Sequence, residues 1–459
     1  MQNFSLSFCG GVGMVTGANF LLSGAGKKIL IDCGLIQGCK FCEDRNREPF
    51  PYDPKSINAL FITHAHIDHI GRIPLLVREG FTGVIYSTPA TRELSEIMLI
   101  DSLGVLQKEA QQDGLPPLFE RTDVEKALTL WRTLPYHEPT SILDIFSVNF
   151  KDAGHILGSA IIEITYVEEG REGGTIVFTG DLGNSPSPLL RDTELVENAD
   201  YVVMESVYGD RVHEGINERT EKLAHIIKET VARKGVLMIP AFSIERTQIM
   251  LYELNNLMET GIIPNIPVFL DSPLAIAVTD IYRHRVKLFN EGVREDIAKG
   301  GDIFDFPCLR LTNTTEESKA INHVPPPKII IAGAGMSHGG RIQHHERRYL
   351  PYKENTLLLV GYQAAGSLGR ILQDGASEIY LQGERVPVRA HIFSLSGYSA
   401  HRDREGLIDF ASHFPESIKK VFVTMGEPKS ELFLVQRLRD YLDLPATAPQ
   451  QDDVVSITL

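Results

Sequence analysis

Thr63-His-Ala-His-Ile-Asp-His69 is the stretch of this chain that decides its fold. His64 and His66 close an apolar strand pattern, Asn-Ala-Leu-Phe-Ile-Thr-His-Ala-His at 58–66. Asp68 and His69 follow as the chain turns into Ile-Gly-Arg-Ile-Pro-Leu-Leu-Val at 70–77, a helical pattern. Imidazoles and carboxylates are costly to bury without partners, and a strand end beside a core is where they become partly buried. Three imidazoles and a carboxylate at this density are the ligands of zinc and its borderline neighbours rather than of a solvated turn. His155 lies in Asp-Ala-Gly-His-Ile-Leu-Gly-Ser (152–159) and Asp181 in Phe-Thr-Gly-Asp-Leu-Gly (178–183), at the end of another apolar strand. His401, in Ser-Gly-Tyr-Ser-Ala-His-Arg-Asp (396–403), opens a helical pattern. Each of these three is weak alone, because a single His in a Gly-bounded loop is usually structural. With residues 63–69 they supply nitrogens and oxygens for two metal ions.

Apolar, β-branched runs alternate with amphipathic helical patterns along the rest of the chain. Strands are expected at 28–34, 58–66, 175–181, 201–206, 236–242, 268–273, 328–335, 356–362 and 420–425. Several are apolar throughout, which suits strands covered on both faces. Met250, Leu254, Leu257 and Met258 mark one face of a helix. The alternation specifies an α/β chain. The segment 108–142, with the lone Trp131, reads as a helical excursion, and Gly10–Gly17 reads as a turn in an N-terminal β-hairpin. Residues 167–174 read as a hairpin loop, and Asn322–Lys328 as a break before a strand.

The length of 459 residues suits two large domains. With 43% hydrophobic and 23% charged residues the chain has the composition of a globular protein, not of a disordered or low-complexity one. No apolar run reaches the roughly 18–20 residues of a membrane span, and the N-terminus lacks the pattern of a secretory signal. Five cysteines are too few and too scattered for a disulfide scaffold, so a cytoplasmic location is expected. Cys39 and Cys42 form a lone CxxC and read as incidental thiols rather than half of a structural zinc site. A net charge of −15 argues against a non-specific grip on nucleic acid through bulk charge, while leaving room for a local basic channel.

His64-Ala-His-Ile-Asp-His69 resembles the HxHxDH signature of the metallo-β-lactamase superfamily. The resemblance implies an αββα sandwich with two zinc ions at one edge. One would take His64, His66, His155 and Asp181. The other would take Asp68, His69, Asp181 and His401, with Asp32 orienting a ligand or the attacking water. Such a site implies hydrolysis. The long interval between Asp181 and His401 resembles a β-CASP insertion. Val-Val-Met-Glu-Ser-Val-Tyr-Gly (202–209) resembles that family's acidic motif and places Glu205 at the site. Pro-Ala-Phe-Ser-Ile-Glu-Arg-Thr-Gln (240–248) and Gly-Met-Ser-His-Gly-Gly-Arg (335–341) resemble its further motifs, Val-Gly-Tyr-Gln-Ala-Ala-Gly-Ser-Leu-Gly-Arg (360–370) its motif B region, and Ser-Ala-His-Arg-Asp (399–403) its motif C. The implied division is a first sandwich part over 1–205, the inserted domain over 206–385 and a C-terminal sandwich part over 386–459.

In that family a His at motif C goes with RNA processing, so the resemblance implies a ribonuclease acting on single-stranded RNA, endonucleolytically, from the 5′ end, or both. Glu205 would orient or polarise His401, and Asp68 and Asp32 would serve the reaction with them. Arg246, Thr247, Ser337, Gly339, Gly340, Arg341 and Arg370 are the candidate phosphate contacts, at a helix start and in Gly-rich turns. The other reading of the basic run 341–349 is a solvated helix face. Three positions depart from the family pattern: Ile371 stands where motif B has a His, Met425 where a late H-G-E loop has one, and Gly335 where a Ser is usual. The general acid could then be water or another His such as His338. Two other functions compete: hydrolysis of a small ester by the same site, and a non-catalytic RNA-binding scaffold. A second copy of the chain or other RNA-processing proteins are the partners left open.

Overall fold

The computed structural model describes residues 2–38, 44–364 and 366–459. The chain divides into two units, Met1–Val212 with His401–Leu459, and His213–Ala400. Cys39 and Cys42 lie outside the described residues.

The first unit is built on two mixed sheets. One orders Val454–Thr458, Asn3–Gly10, Asn19–Gly24, Lys27–Ile31, Ala59–Phe61, Val84–Ser87 and Trp131–Thr133. The other orders Ala446–Thr447, Lys420–Thr424, Tyr201–Glu205, Arg171–Phe178, Ala160–Glu168, Phe146–Asp152 and Thr140–Ile142. Strand alternation sorts the side chains. Phe4, Phe8, Phe20, Phe61, Phe150 and Phe178 point between the sheets and form one core. Leu21, Leu30, Leu60 and Ile85 point outward under the helices Ile73–Arg78, Pro89–Asp113 and Arg121–Thr129. On the far side Val202, Met204, Val421 and Val423 meet the helices Arg404–Ala411 and Pro428–Leu442. The result is four layers, αββα.

The expected strands form with shorter C-terminal ends, except that the one expected at 175–181 starts already at Arg171, so Ala160–Glu168 and Arg171–Phe178 reduce the expected loop 167–174 to a tight turn. The segment 108–142 needs correction: the helix Arg121–Thr129 gives way to the strands Trp131–Thr133 and Thr140–Ile142. Buried Trp131 donates its indole N–H to Ser87 Oγ at 2.8 Å, a partner that no helical period announces.

The second unit carries a six-stranded sheet ordered Leu309–Leu311, Val268–Leu270, Lys328–Ala332, Val236–Pro240, Thr356–Leu359 and His391–Ser394. Every pairing in it is parallel, and its central strands are fully buried, which is why they read as unbroken apolar runs. Met250, Leu254, Leu257 and Met258 are buried on the helix Arg246–Glu259. Gly335 has a steric cause, since a Cβ there would press into the Phe242 ring at 2.6 Å.

Glu346 is fully buried in this unit and accepts the Ser337 hydroxyl, while its Oε2 has no hydrogen-bond partner among the described residues. Burial pushes its carboxyl up to about 8. An unfolded Glu ionises near 4.3, so between these values the folded chain binds one proton more than the unfolded one. Stability from this group is complete at low pH and is lost as pH rises through about 8. Glu346→Gln is therefore expected to flatten the fall in thermal midpoint between pH 5 and 9. An unchanged slope would refute this.

Candidate metal centre

The site is assembled where strands of both sheets end on one edge. Asp32 follows the strand Lys27–Ile31, and residues 63–69 follow the parallel neighbour Ala59–Phe61. His155 follows Phe146–Asp152, Asp181 follows Arg171–Phe178, and Glu205 ends its own strand. The short helix Ile67–Ile70 is tied to the segment after Lys27–Ile31: Cys33 N–H donates to the His69 carbonyl at 2.8 Å and Leu35 N–H to that of Ile67 at 3.0 Å. Gly34 makes this approach feasible, because a Cβ there would overlap the Asp68 carbonyl.

Four side chains converge. His66 Nδ1 lies 3.1 Å from His64 Nε2 and 3.2 Å from His155 Nε2. Asp181 Oδ2 lies 3.4 Å from His64 Nε2 and 3.5 Å from His155 Nε2. The other oxygen, Oδ1, is 3.5 Å from His69 Nε2, which is in turn 3.9 Å from Asp68 Oδ2. His401 Nδ1 stands 3.3 Å from Glu205 Oε1 and 3.8 Å from Asp181 Oδ2. Potential ligand atoms thus gather into two groups that share Asp181: His64, His66, His155 and Asp181, then Asp181, Glu205 and His401. His69 bridges Asp181 and Asp32, its Nδ1 lying 2.8 Å from Asp32 Oδ2, and Asp68 stands beside its Nε2.

These residues fit a metal. A tetrahedral ion with bonds of about 2.0–2.1 Å spaces its ligand atoms roughly 3.3 Å apart, the spacing of the first group. His69 Nε2 and Asp181 Oδ1 are buried and have no hydrogen-bond partner among the described residues, which a cation at that side would relieve. Burial holds His64 below the ordinary His range and His66 and His155 well below it, so all three are neutral ligands at pH 7. Asp181 resists its burial because His69, His64 and His401 hold it well below the carboxylate range.

Several orienting residues have no motif of their own. Asp32 accepts from Thr63 N–H, Thr63 Oγ1 and His69 Nδ1, each at 2.8 Å. The proton on His69 Nδ1 leaves Nε2 as the ligand atom. The His155 loop is held by Thr88 and Thr91, whose hydroxyls donate to the Gly158 carbonyl at 2.7 and 2.8 Å, and by Ser159 Oγ, which accepts His155 N–H at 3.1 Å. A Thr next to a His ligand is the only sequence signal among them. Asp32→Asn is expected to lower metal affinity or turnover 10–100-fold, roughly the usual cost of losing such a partner. Metal titration of the apoprotein measures it, and an unchanged affinity together with unchanged turnover would show that Asp32 does not set the tautomer.

The positions that depart from the family pattern are also placed. Buried Met425 lines a small cavity with Asp32, His69 and Glu205 and donates its N–H to the Gly11 carbonyl at 2.7 Å. Ile371 lies on the short helix Leu368–Gln373 of the second unit, 44% exposed. The phosphate candidates lie in that unit too, and several are engaged within it. Buried Arg246 donates to the Val360 carbonyl, and Thr247 Oγ1 to that of Phe242 at 2.8 Å. Arg341 donates to Asp271 at 2.7 Å and to the Thr312 and Asn313 carbonyls. Arg370 pairs with Asp374 at 3.1 Å. Ser337 is held by Glu346, whereas Gly339 borders open space and Gly340 folds back on the Gly333 carbonyl.

An αββα sandwich with a His/Asp cluster at the common edge of its sheets defines a metal-dependent hydrolase. Three family profiles match in chain order: the metallo-beta-lactamase superfamily over residues 13–158, the Beta-Casp domain over 247–372 and the Zn-dependent metallo-hydrolase RNA specificity domain over 385–449. Ribonuclease TTHA0252 of Thermus thermophilus is 39% identical, with 92% of each chain covered. Transcription termination factor FttA of Methanosarcina mazei is 32% identical over 92% of this chain and 66% of that protein. The FttA of Methanothermobacter thermautotrophicus is 30% identical over 98% and 71%. A crystal structure of a protein of unknown function from Enterococcus faecalis V583 shares the fold, with TM-score 0.55 and 12% identity over 99% of this chain and 100% of that one. The chain belongs to the β-CASP family of the metallo-β-lactamase superfamily. No helix among the described residues is long and apolar enough to cross a membrane.

Proposed function

We propose that this chain is a zinc-dependent ribonuclease that hydrolyses phosphodiester bonds of single-stranded RNA and holds two zinc ions. The observation that carries the reading is the convergence of His64, His66, His155 and Asp181 on one point, with His69 and His401 on the flanks of Asp181. The RNA specificity profile over 385–449 and relatives named as a ribonuclease and as transcription termination factors support RNA as substrate. On this reading residues 206–385 are the β-CASP insertion.

His64, His66, His155 and Asp181 would hold one zinc, and Asp68, His69, Asp181 and His401 the second. When bound, zinc supplies Lewis acidity toward a phosphoryl oxygen and acidifies water toward neutral pH. The chain's own residues set the rest. Asp32 keeps a proton on His69 Nδ1. Glu205 accepts N–H bonds from Leu182 and Val207, so its carboxylate is fixed beside His401 Nδ1 and can hold that imidazole's proton in place. The Glu205 carboxyl is raised by burial against the opposing pull of His401, and the His401 imidazole is raised by Glu205 in spite of its own burial.

The test is incubation of zinc-loaded protein with 5′- and 3′-labelled single-stranded RNA and matching DNA. RNA cleavage that stops on chelation and returns with zinc supports the reading, and the product ladder separates endo from 5′-exo action. A stable RNA complex without cleavage in protein carrying two zincs would overturn it in favour of a scaffold. Turnover of small esters without nuclease activity would overturn it in favour of a small-substrate hydrolase.

A further inference from the structure

The first unit carries guanidinium and aromatic groups side by side on two segments joined near the metal centre. The Tyr208 ring lies 6.3 Å from that of His401, and Arg211 stands 5.7 Å over Tyr208. Arg404, three residues beyond His401, donates its N–H to the Arg211 carbonyl at 3.0 Å. Its guanidinium, paired with Glu405, lies 5.8 Å from the Phe433 ring. Arg437 then stands between Phe433, at 4.8 Å, and Tyr441, at 5.0 Å.

Phe433, Arg437 and Tyr441 are spaced i, i+4, i+8 on the helix Pro428–Leu442, whose core face is Leu434, Val435 and Leu438. Pairs at this spacing stabilise a helix by only tenths of a kcal/mol, roughly, so helix stability alone gives little reason to leave Phe433 and Arg437 half-buried and Tyr441 exposed along one face. Tyr441 is 63% exposed, and Leu432 beside Phe433 is 64% exposed. These residues all fall in the first unit, and the segment from Arg404 onward lies inside the residues that match the RNA specificity profile.

Planar aromatic and guanidinium faces in a row are the chemistry that stacks unpaired bases without reading their sequence. We propose that Arg404, Phe433, Arg437 and Tyr441 form a stacking track that holds single-stranded RNA beyond the scissile phosphate. The proposal rests on the ribonuclease reading above and adds to it a binding site away from the metal ligands. The guanidiniums also face the phosphate backbone, which the acidic chain as a whole repels.

The experiment compares zinc-loaded wild type with Phe433→Leu, Tyr441→Leu, the double variant and Arg437→Lys. Leu keeps apolar bulk and Lys keeps charge, but neither stacks. KM for a long unstructured oligoribonucleotide is expected to rise roughly tenfold for each ring lost. The kcat on that RNA, turnover of bis(p-nitrophenyl) phosphate and the thermal midpoint should stay at wild-type values. Phe433→Tyr and Tyr441→Phe should restore KM. An unchanged KM in the double variant overturns the track and leaves the ribonuclease reading standing. Loss of a dimer in sedimentation, with RNA binding intact, overturns it in favour of a contact between copies. Wild type that hydrolyses bis(p-nitrophenyl) phosphate but neither binds nor cleaves RNA brings down the ribonuclease reading itself, and the track with it.

Discussion

Asp181→Ala is expected to release metal from both sides of the site and to lower RNA cleavage at least about 1,000-fold, since the chemistry depends on the ions this carboxylate would bridge. The reason lies in its two oxygens. Oδ2 faces His64, His155 and His401, whereas Oδ1 faces His69 and has no hydrogen-bond partner among the described residues. No other carboxylate in the two ligand groups belongs to both. Alanine removes one negative charge from a cluster of buried imidazoles, and water entering the gap is a weaker ligand than a fixed carboxylate. Metal analysis after gel filtration and a cleavage assay check this together. Two zincs per chain with wild-type turnover would refute the bridging role.

The second large effect is expected in the other unit. Asp271→Ala should destabilise it by about 3–5 kcal/mol, the cost of breaking a buried ion pair by removing one partner. Asp271 is fully buried and accepts from Arg341 and His345 at 2.7 Å, from Ser318 at 2.7 Å and from Thr312 at 2.8 Å. These donors hold its carboxyl far below the usual range despite burial. Without it, the Arg341 guanidinium loses its counter-charge, the buried His345 ring loses its acceptor, and the Gly-rich turn before Arg341 loses its anchor. Denaturant unfolding followed on the full chain should show an earlier transition, with metal content per folded chain unchanged. A midpoint equal to wild type would mean that the turn is held by other contacts.

Asp271 is a partner that sequence spacing does not announce. The run 341–349 offers Arg341 and His345 after a Gly-rich turn, a pattern that suits phosphate binding. Both bond a carboxylate about seventy positions earlier, on the loop after the strand Val268–Leu270. Sequence spacing carries no sign of that partner. Arg246 behaves the same way, since its acceptor is the carbonyl of Val360. Trp131 likewise entered a strand because the edge of a sheet and Ser87 were there to receive it. Apolar runs such as 328–332 were legible because a strand buried on both faces needs no partner-specific pattern, only hydrophobic residues in a row.

The sequence by itself determined the α/β architecture, the chain positions of its buried strands and the residue types that can bind metal, because burial pattern and ligand chemistry are properties of side chains read one at a time. Only the tertiary structure decided which ring nitrogen of each histidine faces inward, that Asp181 presents its two oxygens to different imidazoles, and that Asp32 with Thr63 fixes His69. It also aligned Arg404, Phe433, Arg437 and Tyr441 into one row. The metal-site relations join segments far apart in the chain and exist only once the sheets bring the strand ends to a common edge, whereas Phe433, Arg437 and Tyr441 share one helix and only Arg404 reaches them from elsewhere.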